Sequence, residues 1–268
     1  MMRFATRTHP GRVYEDNEDV IGVDEARNIW FIADGMGGHS SGEVASAIVR
    51  DTILQAQGLS LTEAVSAAHR AVVAAAAAND HYKGMGSTVV AMALRDHEAE
   101  IVWVGDSRSY LWRAGTLKRM SRDHSVVELL RSAGELSEAQ IQTHPQRNLV
   151  TQTLGHGEPV PSSAHVELRG GDWLILCSDG LHDELDDAEM SAVLADSATI
   201  DDAVSRLVDA ALAKGGRDNV SVVVVAVSYD DLAARWRRLS ATGIAPAVLG
   251  VVAALLLGIV FLLLLKVT

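Results

Sequence analysis

Three aspartates close apolar, strand-like runs: Asp34 after NIWFIA, Asp106 after IVWVG and Asp179 after DWLILCS. A carboxylate at such a point leaves the core at the rim of a sheet, where a rigid element can present it to a ligand. The motifs around them are Asp34-Gly35-Met36-Gly37-Gly38-His39, Gly105-Asp106-Ser107-Arg108 and Ser178-Asp179-Gly180. Two more, Asn17-Glu18-Asp19 and Arg217-Asp218-Asn219, stand at the start of strand-like runs. Any one Asp-Gly pair is a turn signal, because both residues favour turn geometry. Several converging carboxylates are different: in a partly buried site their repulsion must be neutralised by protons or cations. Oxygen donors without a matching His or Cys set select hard divalent ions, Mg²⁺ or Mn²⁺. Glycine at position 35 lets a backbone carbonyl approach the same ion.

The elements that must position these residues are short and mixed. Strand patterns fall at Asp19–Val23, Ile29–Ala33, Ser87–Leu94, Glu100–Val104, Tyr110–Arg113, Ala164–Leu168, Asp172–Cys177 and Val220–Val227, each rich in Val, Ile or Trp and bounded by Gly, Asp or Asn. Helical spacing predicts Gly42–Gln57 and Asp201–Ala213, alanine content predicts Leu61–Asn79, and a shorter helix is expected over His124–Ala133. Helices come in pairs between groups of strands, which suits an α+β fold of antiparallel sheets flanked by helices better than a doubly wound parallel sheet. The polar segment Gly134–Gly157, with a short helix expected around Ser137–Gln142, reads as a surface flap.

Composition removes several function classes. The chain has 268 residues, 35 Asp+Glu against 23 Lys+Arg, a formal net charge of −12 and one cysteine. A lone cysteine makes neither an intramolecular disulfide nor a Cys-based zinc site. The acidic balance argues against broad contact with nucleic-acid phosphates. The length fits one domain and an appendage, expected as a body over residues 1–230, a basic linker over 231–243 and a membrane-spanning helix over 244–265. That last run, IAPAVLGVVAALLLGIVFLLLL, carries no charge. As a helix it would be roughly 33 Å long, against a hydrocarbon core of about 30 Å. Arg235, Trp236, Arg237 and Arg238 precede it, so the body is expected on the cytoplasmic face of the inner or plasma membrane as a single-pass protein. Nothing near the first residues reads as a signal peptide that would export it.

The ordered set NED, ADGMGGH, MGST, VGDSR, SDGL and GRDNVS, spread over residues 3–228, resembles the bacterial branch of the metal-dependent serine/threonine protein phosphatases, the PPM or type 2C class. The resemblance implies a four-layer α-β-β-α sandwich with metals in a cleft at one end. It implies two Mn²⁺ or Mg²⁺ ions and a weaker third. Asp34 would bridge the pair, Gly35 would offer a carbonyl, and Asp179 and Asp218 would bind the other ion. Glu18 and Asp19 would act mainly through water, and Asp106 with Asp179 would hold the third ion. The expected reaction is hydrolysis of phosphoserine and phosphothreonine in cytoplasmic proteins by a metal-activated water. A membrane serine/threonine kinase is the expected counterpart, by analogy.

Two departures from the family pattern bear on the site. Relatives carry a phosphate-binding arginine where this chain has Tyr14; Arg12, two residues earlier and on the same side if the segment is extended, is the candidate substitute. Eukaryotic relatives carry His at the Met36 position, and His39 is the candidate to position substrate or donate a proton. His124 reads as structural, and Cys177 as a buried strand residue. The missing arginine leaves a second reading open, a catalytically silent phosphoprotein-binding scaffold. A metal-dependent nuclease is disfavoured by the acidic balance and the absence of a basic-aromatic track.

Overall fold

Val220–Ala226, sequence VSVVVVA, is buried along six of its seven residues, which places it inside a layered structure with apolar neighbours on both faces. The computed structural model describes residues 2–37, 41–95, 97–137, 140 and 144–228. In chain order its strands are β1 (Arg3–His9), β2 (Asp19–Asp24), β3 (Ile29–Met36), β4 (Gly86–Ser87), β5 (Val89–Arg95), β6 (Glu98–Val104), β7 (Arg108–Arg113), β8 (Thr116–Arg119), β9 (Ser162–Glu167), β10 (Trp173–Cys177) and β11 (Val220–Ala226). The helices are α1 (Ser41–Gln55), α2 (Leu61–Ala78), α3 (Val126–Ser132), α4 (Asp179–His182), α5 (Asp187–Ala195) and α6 (Ile200–Lys214).

One sheet runs β1-β11-β10-β7-β8; the other runs β2-β3-β5-β6-β9, with β4 beside β3. All pairings are antiparallel. Alternation along the strands builds three apolar layers. Trp30, Ile32, Val90 and Met92 face Leu174, Leu176, Val223 and Val225 between the sheets. Phe31, Ala33, Val89 and Ala91 face Val49, Ile53, Val65 and Val72 of α1 and α2. Ile175, Cys177, Val222 and Val224 face Val204, Leu207, Val208 and Ala211 of α6. The result is the expected α-β-β-α sandwich.

Differences from the sequence expectations have local causes. The run expected over Ser87–Leu94 is broken at Thr88, whose N–H donates to Asp34 O at 2.8 Å instead of continuing a ladder. The edge strands β1 and β8 and the helix α5 were not expected. Arg3–His9 and Thr116–Arg119 alternate charged and partly buried residues with little apolar signal. In α5 only Met190 and Leu194 are buried, yet the helix carries a capping box, Asp186 with Glu189, that is readable as D-x-x-E. Among the described residues no helix is long and apolar enough to cross a membrane. The linker 231–243 and the span 244–265 lie outside the described residues, as does most of the short helix expected around Ser137–Gln142.

Leu176 is fully buried between the sheets. Leu176→Ala is expected to destabilise the domain by about 3 kcal/mol, in line with other buried leucine truncations, as read from the midpoint of urea unfolding.

Candidate active site

Glu18 and Asp19 open β2, and Asn219 positions the loop that leads to them. Its Oδ1 accepts from Glu18 N at 2.7 Å, while its Nδ2 donates to Pro10 O and Asp16 O at 3.0 and 3.1 Å. The neighbouring Asp218 is therefore brought to the start of β2. On the far side, Arg217 binds Glu184 through Nε at 2.8 Å and holds the same turn against the segment after α4. Asp19 pairs in register with Asp34 across β2 and β3. Ser178 Oγ donates to Asp19 Oδ2 at 2.7 Å and accepts from Ser221 N at 2.9 Å. This hydroxyl ties the first sheet to the second immediately beside Asp179, which opens α4. Gly35 has no room for a side chain, since a Cβ there would lie 2.1 Å from Gly42 O.

Asp106 follows β6 in a turn that starts at Gly105, whose φ of +109° excludes most other residues. His124 holds this turn: its N–H donates to Gly105 O at 2.9 Å and its Nδ1 accepts from Gly105 N at 3.2 Å. Ser107 and Thr88 share a hydroxyl hydrogen bond at 2.8 Å. Behind Asp106, Arg108 forms a bidentate pair with Asp123.

The cleft these elements enclose has a volume of about 930 Å³. Glu18, Asp34, Gly35, Asp106, Asp179 and Asp218 line it, with Asp19 buried behind them. One wall is formed by Tyr14–Asp16 and the other by residues 149–153 and 156–159 of the expected flap. The flap residues are anchored: Val126 N donates to Leu149 O, and Ser87 and Leu154 form an isolated bridge. No lysine or arginine among the described residues lines the cleft.

Electrostatics follow from that arrangement. Burial pushes Asp19 and Asp106 up to about 7. Burial, then repulsion from Asp179, Asp19, Asp106 and Asp218, raises Asp34 well above the ordinary carboxylate range. Asp179 is raised in the same way by burial, Asp106 and Asp218, and burial also raises Glu18 and Asp218. Asp19 Oδ1 is buried with no hydrogen-bond partner. In this geometry no three His, Cys, Asp or Glu side chains among the described residues close on one point as ion ligands. Uncompensated repulsion opposes such closure. An all-oxygen donor set with an orphaned carboxylate oxygen and mutually repelling neighbours suits hard divalent cations.

The structure thus brings Glu18, Asp19, Asp34, Gly35, Asp106, Asp179 and Asp218 to one end of the sandwich, and it does not bring Arg12. Residues 11–13 form a turn rather than an extended strand, so the period-two argument fails there. Arg12 N donates to Gly216 O at 2.7 Å and its side chain is exposed outside the cleft lining, whereas Tyr14 lines the cleft. His39 lies outside the described residues. Cys177 is fully buried and its thiol is pushed up to about 12 by burial, so it is no nucleophile for the cleft. The positioning roles of Asn219 and Ser178 escaped sequence reasoning. Both stand inside quoted motifs, but their partners are up to 209 residues away.

Raised carboxylate pKa values mean that the metal-free fold binds more protons than the unfolded chain around neutrality. Their stabilising contribution is full below the unfolded carboxylate pKa and is lost as pH rises through about 7. Chelator-treated protein is expected to lose thermal stability as pH rises from about 5 to about 7, and Mn²⁺ to reverse the loss by replacing protons. Differential scanning calorimetry checks this; a chelated protein whose Tm climbs over that interval counts against the arrangement.

Comparison with known proteins agrees with this fold. The family profile described as protein phosphatase 2C matches residues 6–215. The serine/threonine protein phosphatase PstP of Mycobacterium tuberculosis is 35% identical over 239 residues, covering 86% of this chain and 46% of PstP. The serine/threonine phosphatase stp of Listeria innocua is 33% identical over 240 residues, 84% of this chain and 95% of that protein. The match therefore spans about half the length of PstP and nearly all of stp. The crystal structure of M. tuberculosis PstP superposes with a TM-score of 0.80 at 33% identity, over 85% of this chain and 99% of that one. The PstP catalytic domain in complex with two manganese ions gives 0.76 at 32% identity, over 85% and 98%. With a profile match over most of its length and relatives this similar, the chain belongs to the protein phosphatase 2C family.

Proposed function

We propose that this chain hydrolyses phosphoserine and phosphothreonine esters of cytoplasmic proteins at a membrane surface, with Mn²⁺ or Mg²⁺ as cofactor. The observation that carries the reading is a cleft lined by eight carboxylates and, among the described residues, no lysine or arginine. Such a site takes up positive charge from solvent before it can admit a phosphate dianion. Asp34, the Gly35 carbonyl, Asp179 and Asp218 are assigned to a pair of ions, with Glu18 and Asp19 beside them and Asp106 with Asp179 at a third. Bound there, divalent cations would offset charge on phosphoryl oxygens and acidify a water to serve as nucleophile.

The chain's own residues prepare the site for that chemistry. Asn219 and Ser178 hold the carboxylates of three separate segments at fixed positions, which removes reorganisation from the reaction. The walls at Tyr14–Asp16 and 149–153 flank the cleft, where a phosphorylated segment would enter. The silent-scaffold reading draws on a specific observation, that Tyr14 and not an arginine faces the cleft. Hydrolysis of a chromogenic phosphate ester with Mn²⁺, with and without chelator, separates the two. Metal-dependent turnover supports the enzyme, and its absence supports the scaffold.

The charge-free run 244–265 and its arginine flank support the anchor, whose effect would be to concentrate the enzyme near phosphoproteins at the bilayer, including the products of a membrane serine/threonine kinase.

Asp34→Ala and Asp218→Ala are each expected to lower kcat/KM by about 10³-fold or more, since each would remove a direct ligand. Asp106→Ala is expected to cost about tenfold while two ions remain bound by calorimetry. On liposomes, the full chain is expected to prefer a tethered phosphopeptide over a free one. Deleting residues 241–268 should abolish that preference, and an unchanged ratio sinks the anchoring role.

A further inference from the structure

Asp106 and Asp179 come from different sheets, and the proposed third-cation site requires the two to keep a fixed separation. The turn carrying Asp106 is fastened to its own side of the molecule by His124 at Gly105 and by Thr88 at Ser107. A further tie comes from the segment that carries Asp179. His182 ends α4, three residues after Asp179, so its side chain lies about one turn further along the same helical segment. Its Nε2 lies 3.1 Å from the main-chain oxygen of Asp106. A carbonyl only accepts, so Nε2 carries the proton and donates.

The ring's other polar atom has no partner. Its side chain is 4% exposed; Nδ1 is sealed from solvent without a hydrogen bond, 3.7 Å from the nearest Asp183 oxygen. A buried nitrogen left unpaired is unfavourable, and an apolar side chain of similar size would fill the space without that cost. What the imidazole adds over such a residue is the one donor aimed at Asp106.

We propose that His182 is a positioning residue that couples the Asp106 turn to the Asp179 helix and thereby sets the affinity of the weakest of the three cation sites. The role rests on the assignment of Asp106 and Asp179 to that site. It acts as outer-shell partners of metal ligands do, by orienting a donor it does not replace.

Isothermal calorimetry with Mn²⁺ on the full chain tests this without any activity readout. The wild type is expected to bind two ions tightly and one weakly. His182→Ala should weaken the third ion by about tenfold or more and leave the tight pair within about twofold. His182→Gln, which returns an amide N–H near the Nε2 position, should recover most of the third-site affinity. An unchanged weak site in His182→Ala, an equal loss at all three sites, or no recovery in His182→Gln overturns the role. If His182→Ala fails to fold, His182→Met against His182→Gln decides in the same way, because methionine fills the volume and lacks the donor. Two bound ions in the wild type would overturn the third site itself and this role with it. In ¹⁵N-histidine spectra of the wild type, the His182 Nε2–H signal should move with the third equivalent of a diamagnetic ion such as Mg²⁺ and not with the first two. A signal that follows only the first two equivalents contradicts the coupling.

Discussion

Mutual repulsion among carboxylates taken out of water is the constraint around which this molecule is organised. Two unit charges about 4 Å apart at an effective dielectric of 20 repel by about 4 kcal/mol, and here several such groups share one cleft. Asp34 and Asp179 respond by favouring their protonated forms, with burial as the larger cause and their neighbours as the second. A fold can hold such a group only if the rest of the structure over-determines the positions of its members. The three apolar layers supply that excess, because the strands that end at Asp34, Asp106 and Asp179 are buried on both faces.

Where the guanidinium groups sit is as informative as where the acids sit. Arg108 and Arg119 bind Asp123, and Arg217 binds Glu184, all outside the cleft lining. These pairs brace the turns that carry Asp106 and Asp218 without neutralising them. Among the described residues, charge is paired around the site and left without a lysine or arginine partner in the cleft lining, a pattern that suits divalent cations.

Hydrogen bonds of long sequence range convert the sandwich into a site. Asn219 closes the loop before β2, Ser178 joins Asp19 to β11, and His182 reaches the carbonyl of Asp106. Each uses a short side chain with few rotamers, so little conformational entropy is lost in fixing the geometry. None of the three is charged in the arrangement shown, and none competes with the carboxylates for a cation.

Much of the framework was legible in the residue order. Runs such as IVWVG and DWLILCS announce buried strands followed by an acid, and six ordered motifs point to the family. Edge strands β1 and β8 were not legible, because an edge needs no continuous apolar face. Helix α5 was missed because two buried residues make too weak a stripe. Arg12 shows the limit most clearly: its spacing from Tyr14 suggested a shared side, but the chain turns at Gly11, with φ of +81°, and carries it out of the cleft. Residue type and local pattern thus determined which groups could bind cations and where strands would end. Only the tertiary structure decided which of them meet and which side chains hold them there, because those contacts join segments up to 209 residues apart and leave no periodic trace in the chain.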